Sequence, residues 1–243
     1  RGTHATCRRV GPASTAGIKR REPEPAVNAG FSRSGDGQPG AGLGSDAKGR
    51  AEVYVGAKQI TDVNAQVAGW TTSALDIVSW KSRDGATIEG VLHKPAAFDP
   101  ANKDPLLVVF PGGPTGVSRA VPFTSTIYPI DVWVPRGVLV LEPNYRGSAG
   151  YGEKFRALNV RNLGVGDAWD VLSGIDALVA RGMVDATRVG TMGWSQGGYI
   201  SAFLATHDAA RFKAISVGAG ISDWMTYYVN TDITPFTRQY LKA

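Results

Sequence analysis

Cysteine is almost absent: Cys7 is the only one in 243 residues. A single thiol excludes an internal disulfide framework, and together with three scattered histidines it excludes a metal site of the Cys/His kind. Long apolar runs are missing as well. No window approaches the ~18 uninterrupted apolar residues that span a bilayer, and no N-terminal stretch pairs a basic start with an apolar run of signal-peptide length. No Gly-Lys-Ser/Thr loop is present to cradle a phosphate. Gly147–Gly152, GSAGYG, lacks the third glycine of a dinucleotide fingerprint. These gaps predict no metal, no cofactor and no membrane partner, and they fit a cytoplasmic setting. The chain begins with Arg1 and not Met, so it is expected to be a piece of a longer protein.

Charge is present but unevenly placed. Residues 1–50 hold nine Lys and Arg against four Asp and Glu, so of the 26 basic and 21 acidic residues, positions 51–243 keep 17 of each. The formal excess of +5 therefore lies in the first fifth of the chain. There the basic residues are scattered among Gly, Ser, Ala and Pro, as in GPASTAGIKRREPEP, with too few large apolar groups to build a core. Residues 1–50 read as a low-complexity tail, disordered and without a nucleic-acid partner.

From about Ala51 the texture changes. Residues 51–75 begin with EVYV, a short strand, and 76–243 read as one α/β domain. Two β-rich runs flank Asp84-Gly85, whose glycine supplies the positive φ of a tight hairpin. PLLVVF (105–110) and GVLVLEPN (137–144) are continuous apolar runs, the pattern of strands buried on both faces. Ala168, Val171, Leu172, Ile175, Leu178 and Val179 form one helical stripe. RVGTMGW (188–194) is a third buried strand, 197–208 a helix, and 212–220 a fourth strand. Buried strands alternating with helices predict a mostly parallel, doubly wound α/β sheet.

The chemistry gathers around Gly193-Trp194-Ser195-Gln196-Gly197. A lone Gly-x-Ser-x-Gly is weak evidence in a chain with 31 glycines. Context strengthens it, because a strand runs straight into the motif and a helix runs straight out. That is the nucleophile elbow, a strained turn that exposes the serine and aims helix N-terminal amides at it. The alternative is a Gly-rich βα turn with a capping serine. A second feature favours catalysis. Strand 105–110 ends in Pro111-Gly112-Gly113-Pro114, where an α/β-hydrolase places a Gly-Gly loop whose amide completes the oxyanion hole. The two donors would be the N–H groups of Gly113 and Gln196.

Taken together, SWKSRDGATIEGVLHKP, PGGPTGVS, LEPNYRGSAGYGEKF, GVGDAWDVLSGIDAL, VDATRVGTMGWSQGGYISAF and SDWMTYY resemble the catalytic domain of the prolyl oligopeptidase family, near its acylaminoacyl-peptidase and dipeptidyl-peptidase branches. The resemblance runs from about Glu52 to the end. It implies an α/β-hydrolase fold preceded by a β-propeller, of which residues 51–75 would be a remnant, and a serine peptidase acting on peptides. It implies Ser195 as nucleophile, Gln196 and Gly113 as oxyanion donors, and Ile221, Trp224 and Tyr227 as the lining of the pocket for the residue before the scissile bond. Core packing is the other role open to those aromatics. Asn144, Tyr145 and Arg146 match a loop near the family's active site and are expected to be structural.

Two departures follow. Pro111 stands where related members carry His. The family places its acid and histidine well beyond the nucleophile, whereas only 48 residues follow Ser195 and none after His207 is a histidine. His207 lies about 18 Å along the helix at ~1.5 Å per residue, too far to act as base. His93 and His4 have no positional claim, and Asp223 and Asp232 come too early to be the acid. The chain by itself is thus expected to be inactive or nearly so. Two other functions stay open: a carboxylesterase on the same fold, since acyl-transfer machinery does not choose amide over ester, and a catalytically silent binding module. Oligomeric state is not readable.

Overall fold

Strand alternation sets the architecture. In the computed structural model, which describes residues 27–31, 40–45, 50–55, 58–121 and 127–242, two compact units appear. One is Arg1–Thr72 with Val121–Phe123 and the other Ser73–Ala120 with Thr124–Ala243.

The first unit holds an antiparallel sheet in chain order, β1 (Val27–Phe31), β2 (Ala41–Ser45), β3 (Ala51–Val55) and β4 (Lys58–Gln59). β1 and β2 fall inside the stretch expected to be a disordered tail, which corrects that expectation for residues 27–31 and 41–45. Backbone pairing to β3 explains the difference: a ladder satisfies small residues that could never fill a core. The rest of the expected tail, residues 1–26, 32–39 and 46–49, lies outside the described residues. Beside β3 the Glu52 carboxylate accepts from the amides of Val63 at 3.2 Å and Asn64 at 3.0 Å and from the Thr61 hydroxyl, pinning the following turn.

The second unit is built on six strands: β5 (Ala74–Lys81), β6 (Thr87–Lys94), β7 (Asp104–Phe110), β8 (Leu139–Asn144), β9 (Val184–Trp194) and β10 (Ala214–Gly218). Their order across the sheet is β10-β9-β7-β8-β6-β5. The four strands from β10 to β8 run parallel, and the β5–β6 hairpin closes the antiparallel edge. This is the mostly parallel sheet that the alternating pattern predicts, and the α/β-hydrolase arrangement that the family resemblance implies. The hairpin forms around Asp84-Gly85, but its loop spans residues 82–86, with Gly85 at φ 85°.

Successive side chains of β7 and β8 point to opposite faces. Leu106, Val108, Phe110, Leu139 and Leu141 face helices α3 (Gly166–Ala180) and α4 (Gln196–His207), where Val171, Leu172, Ile175, Ile200 and Leu204 complete the main core. Val109 and Val140 face the other way, onto Ile130 of the short α1 (Ile130–Trp133) and Val134 after it. All six residues of β8 are buried, as a strand covered on both faces must be. Four helices are not among the expected elements: α1, α2 (Glu153–Ala157), α5 (Trp224–Asn230) and α6 (Thr234–Leu241). Among the described residues no helix is long and apolar enough to cross a membrane.

Candidate active site

Ser195 sits one residue past the end of β9 and is the cap of α4, with φ 58° and ψ −119°. A non-glycine residue at such a φ is strained and persists only where its surroundings force it. Here three glycines force it. A Cβ at Gly197 would lie 2.5 Å from the Phe110 carbonyl oxygen, and one at Gly193 would collide with the backbone of Gly197. One at Gly198 would strike the Gly218 oxygen at the end of β10. Strand β9 and helix α4 can therefore meet only at a sharp corner wedged between β7 and β10. The Ser195 amide donates to Gly218 O at 2.9 Å, and its side chain is exposed at the carboxyl ends of the parallel strands. Among the described residues, nothing hydrogen-bonds its hydroxyl.

The loop after β7 lies alongside. A Cβ on Gly112 would come within 3.7 Å of Ser195 Cβ, so the Gly112-Gly113 backbone lies against Ser195 directly. Gly113 has φ 141°, and a side chain there would drive into the amides of Thr115 and Gly116. Two tyrosines from distant segments hold this loop. Tyr145, fully buried after β8, donates to Pro111 O at 2.7 Å. Tyr128 donates to Phe110 O at 2.8 Å and accepts from the Trp194 amide at 2.9 Å, adding a rung beyond the last β7–β9 pair, Phe110 with Gly193. Among the described residues, neither the Gly113 nor the Gln196 amide donates a loop or turn backbone bond. Gln196 opens α4, and the first amides of a helix have no acceptor within it.

Behind the loop lies a set of buried charges. Arg146, 1% exposed, bonds Asp170 of α3 at 2.7 and 3.0 Å and reaches the hairpin loop through Asp84 at 2.9 and 3.1 Å. Burial works against its charge, but the bonds from Asp170 and Asp84 more than offset that and raise its pKa further. Its own amide also donates to Asp170, at 2.7 Å. One turn earlier on α3, the fully buried Asp167 accepts from the side-chain amide of Gln196 at 3.3 Å. Burial pushes the Asp167 carboxyl up to about 7, with the Asp170 charge adding to the effect.

The histidines and late acids take other roles. His93 is buried between Glu142 at 2.8 Å and Ser73 at 3.2 Å, and Glu142 in turn accepts from the Ser118 hydroxyl at 3.1 Å. His207, exposed at the far end of α4, stacks on Phe203 with ring centres 3.8 Å apart. Asp223 caps α5, accepting from the Thr226 amide at 2.6 Å, and the Thr226 side chain, with that amide, lowers its pKa. His4 lies outside the described residues.

Trp224 and Tyr227 meet edge to face at 5.8 Å, and Trp224 also meets Tyr199 of α4 at 5.0 Å. Phe236 of α6 joins them at 6.5 Å, and Ile221 is buried nearby in sequence. The structure thus groups the two aromatics of the expected pocket in a cluster anchored on the helix that leaves Ser195. Sequence reasoning missed Tyr128, Asp167 and the Arg146–Asp170 pair as parts of the site. Asp167 and Asp170 stand in GVGDAWD at the start of the helix but off its apolar stripe, so the apolar pattern does not mark them.

Residues 124–243 match the model of the prolyl oligopeptidase family. An uncharacterized peptidase of Bacillus subtilis (strain 168) is 29% identical over 181 residues, which cover 74% of this chain and 27% of that protein. Prolyl endopeptidase FAP of Mus musculus is 30% identical over 138 residues, 55% of this chain and 17% of that protein. Acylaminoacyl peptidase of Pyrococcus horikoshii superposes with a TM-score of 0.76 at 27% identity, covering 94% of this chain and 37% of that one. An acylaminoacyl peptidase in complex with Z-Gly-Gly-Phe-chloromethyl ketone gives a TM-score of 0.77 at 27% identity, over 94% of this chain and 36% of the other. The chain spans well under half the length of these relatives. Fold and family match converge on one assignment: over residues 124–243 this chain is a member of the prolyl oligopeptidase family, a hydrolase by descent.

Proposed function

We propose that Ser195 is the nucleophile of a serine peptidase that cleaves oligopeptides through an acyl-enzyme. The observation that carries the reading is the strained, exposed Ser195 at φ 58° between three glycines that admit no side chain. Its hydroxyl oxygen attacks the scissile carbonyl, and the tetrahedral oxyanion is held by the amides of Gln196 and Gly113. The bond to the amine then breaks, and water releases the acyl group. Each oxyanion donor is typically worth about 2.7–4 kcal/mol in the transition state. A base must take the hydroxyl proton; His93 is held by Glu142 and Ser73, and His207 is stacked at the far end of α4. What the described residues supply is the nucleophile and oxyanion side of the reaction.

Trp224, Tyr227 and Ile221 are the proposed wall for the residue before the scissile bond, suited to a flat apolar side chain. A relative that holds a ketone inhibitor ending in Phe supports that preference. By the same relationship, the antiparallel sheet β1–β4 is taken as part of the propeller. The test uses the protein at its natural length with a fluorophosphonate probe. Labelling that disappears in Ser195→Ala is the expected result, and absence of labelling would overturn the assignment in favour of a silent binding module. Turnover of a peptide ending in Phe-nitroanilide, compared with the matching nitrophenyl ester, separates peptidase from carboxylesterase.

A further inference from the structure

The two proposed oxyanion donors come from segments far apart in sequence, the loop after β7 and the first turn of α4. Something must fix the distance between them. Tyr145 grips the first segment through Pro111 O at 2.7 Å. The second is gripped by Asp167, through the side chain of the very residue whose amide is the donor, Gln196, at 3.3 Å. The two grips are one piece of structure, because the amide and guanidinium of Arg146, next to Tyr145, bond Asp170, one turn from Asp167 on α3. Tyr145, Asp167, Asp170 and Gln196 are all buried to within 1%.

We infer that Asp167 is a positioning residue for catalysis: with Tyr145 it braces the oxyanion hole from behind, setting the place of the Gln196 amide through that residue's side chain. The inference rests on the reading of Ser195 as nucleophile. A buried carboxyl is costly to keep unless it is bonded, and Asp167 is bonded to the residue that follows the nucleophile and to the start of its own helix. The groups facing it are Gln196 and Tyr199 of α4, Tyr145, and Asp170 on its own helix; Arg146 answers the charge of Asp170 and not that of Asp167. The side-chain oxygen of Gln196 is buried without a partner. Among the described residues its polar end is held by the bond to Asp167, and loss of that bond removes the polar contact that orients the side chain.

The experiment compares Asp167→Ala, Asp167→Asn, Gln196→Met and the double variant Asp167→Ala/Gln196→Met in the natural-length protein. Gln196→Met keeps the backbone amide and removes only the side-chain grip. Asp167→Ala and Gln196→Met are each expected to lower kcat on a peptide nitroanilide about 10- to 100-fold, with KM within about two-fold, because the misplaced donor acts only in the transition state. A peptidyl trifluoromethyl ketone, which places an oxyanion in the hole, should bind weaker by the same factor, whereas a product peptide should not. The double variant should be no slower than the slower single one, since both remove one interaction. Asp167→Asn, which still accepts from the Gln196 amide, should recover most of kcat, and it also serves if Asp167→Ala fails to fold. Additive losses, or a loss carried by KM, would overturn the brace while fluorophosphonate labelling of Ser195 leaves the nucleophile standing. If Ser195 of the unaltered protein takes no label, both fall together.

Discussion

The elbow and the loop that faces it are built by opposite means. At Ser195 the geometry is local: Gly193, Gly197 and Gly198, all within three residues, each occupy a place where a Cβ would strike backbone. At Gly113 local sterics set the backbone too, since a side chain there would strike the Thr115 and Gly116 amides, but the place of the loop is imported. The loop after β7 owes its position to Tyr128, from the segment before α1, and to Tyr145, from the end of β8. The comparison teaches that the proposed nucleophile is fixed mainly by sterics around a short motif, while the loop carrying the proposed oxyanion donor is placed by hydrogen bonds from the rest of the domain.

The sharpest way to break that contrast is Gly197→Ala. The new methyl would sit 2.5 Å from Phe110 O and 2.8 Å from Phe110 Cβ, in backbone that cannot step aside without moving β7. The loss is expected to exceed about 4 kcal/mol, the range reserved for steric and backbone failure. The check is soluble yield and the urea midpoint. A variant as stable as the parent would show that α4 can shift, and the elbow would not be sterically determined.

The same contrast explains what the sequence makes legible. The strands at 105–110, 137–144, 188–194 and 212–220 and the helices at 168–179 and 197–208 stand out because their apolar period is a property of contiguous residues, and each appears within a few residues of its expected place. Strands β1 and β2 are invisible to that signal, since what marks them is backbone ladder pairing and not an apolar period. Helices α5 and α6 are short, and their aromatics pack on one another and on Tyr199. For the site, Ser195, Gln196 and Gly113 are readable from the motif. Of the brace, Tyr145 and Arg146 are marked only through the family resemblance and Asp167 and Asp170 not at all, because no spacing along the chain shows that α3 starts behind the loop after β7.

Asp167 sharpens the comparison through pH. The folded protein holds its proton up to about pH 7 because burial disfavours the charge, whereas an unfolded aspartate releases it near 4. Between those values the folded state binds more protons than the unfolded one, so stability falls as pH rises and stays lower above 7. At roughly 1.4 kcal/mol per unit, the penalty is on the order of 4 kcal/mol. Asp167→Asn has no such penalty. Its stability relative to the parent should therefore grow from pH 4 to pH 8, measured as the difference in urea midpoints. A difference that stays flat with pH would mean that the carboxyl is ionised throughout, and that burial does not dominate its titration.

The smallest effects separate the two tyrosines. Tyr145→Phe leaves the carbonyl of half-buried Pro111 without its donor and empties the place of a hydroxyl on a fully buried side chain; about 1–3 kcal/mol should be lost. Tyr128→Phe removes two bonds at once, to Phe110 O and from the Trp194 amide, yet it should cost less, about 1 kcal/mol. Trp194 is 51% exposed, so water can take over its amide. Bond count and cost thus run in opposite directions, and thermal unfolding of the two variants side by side reads the order. If Tyr128→Phe proves the more damaging, the rung it adds past Phe110 and Gly193 is sealed from solvent, and the loop facing Ser195 is held chiefly from the strand ends and not from behind.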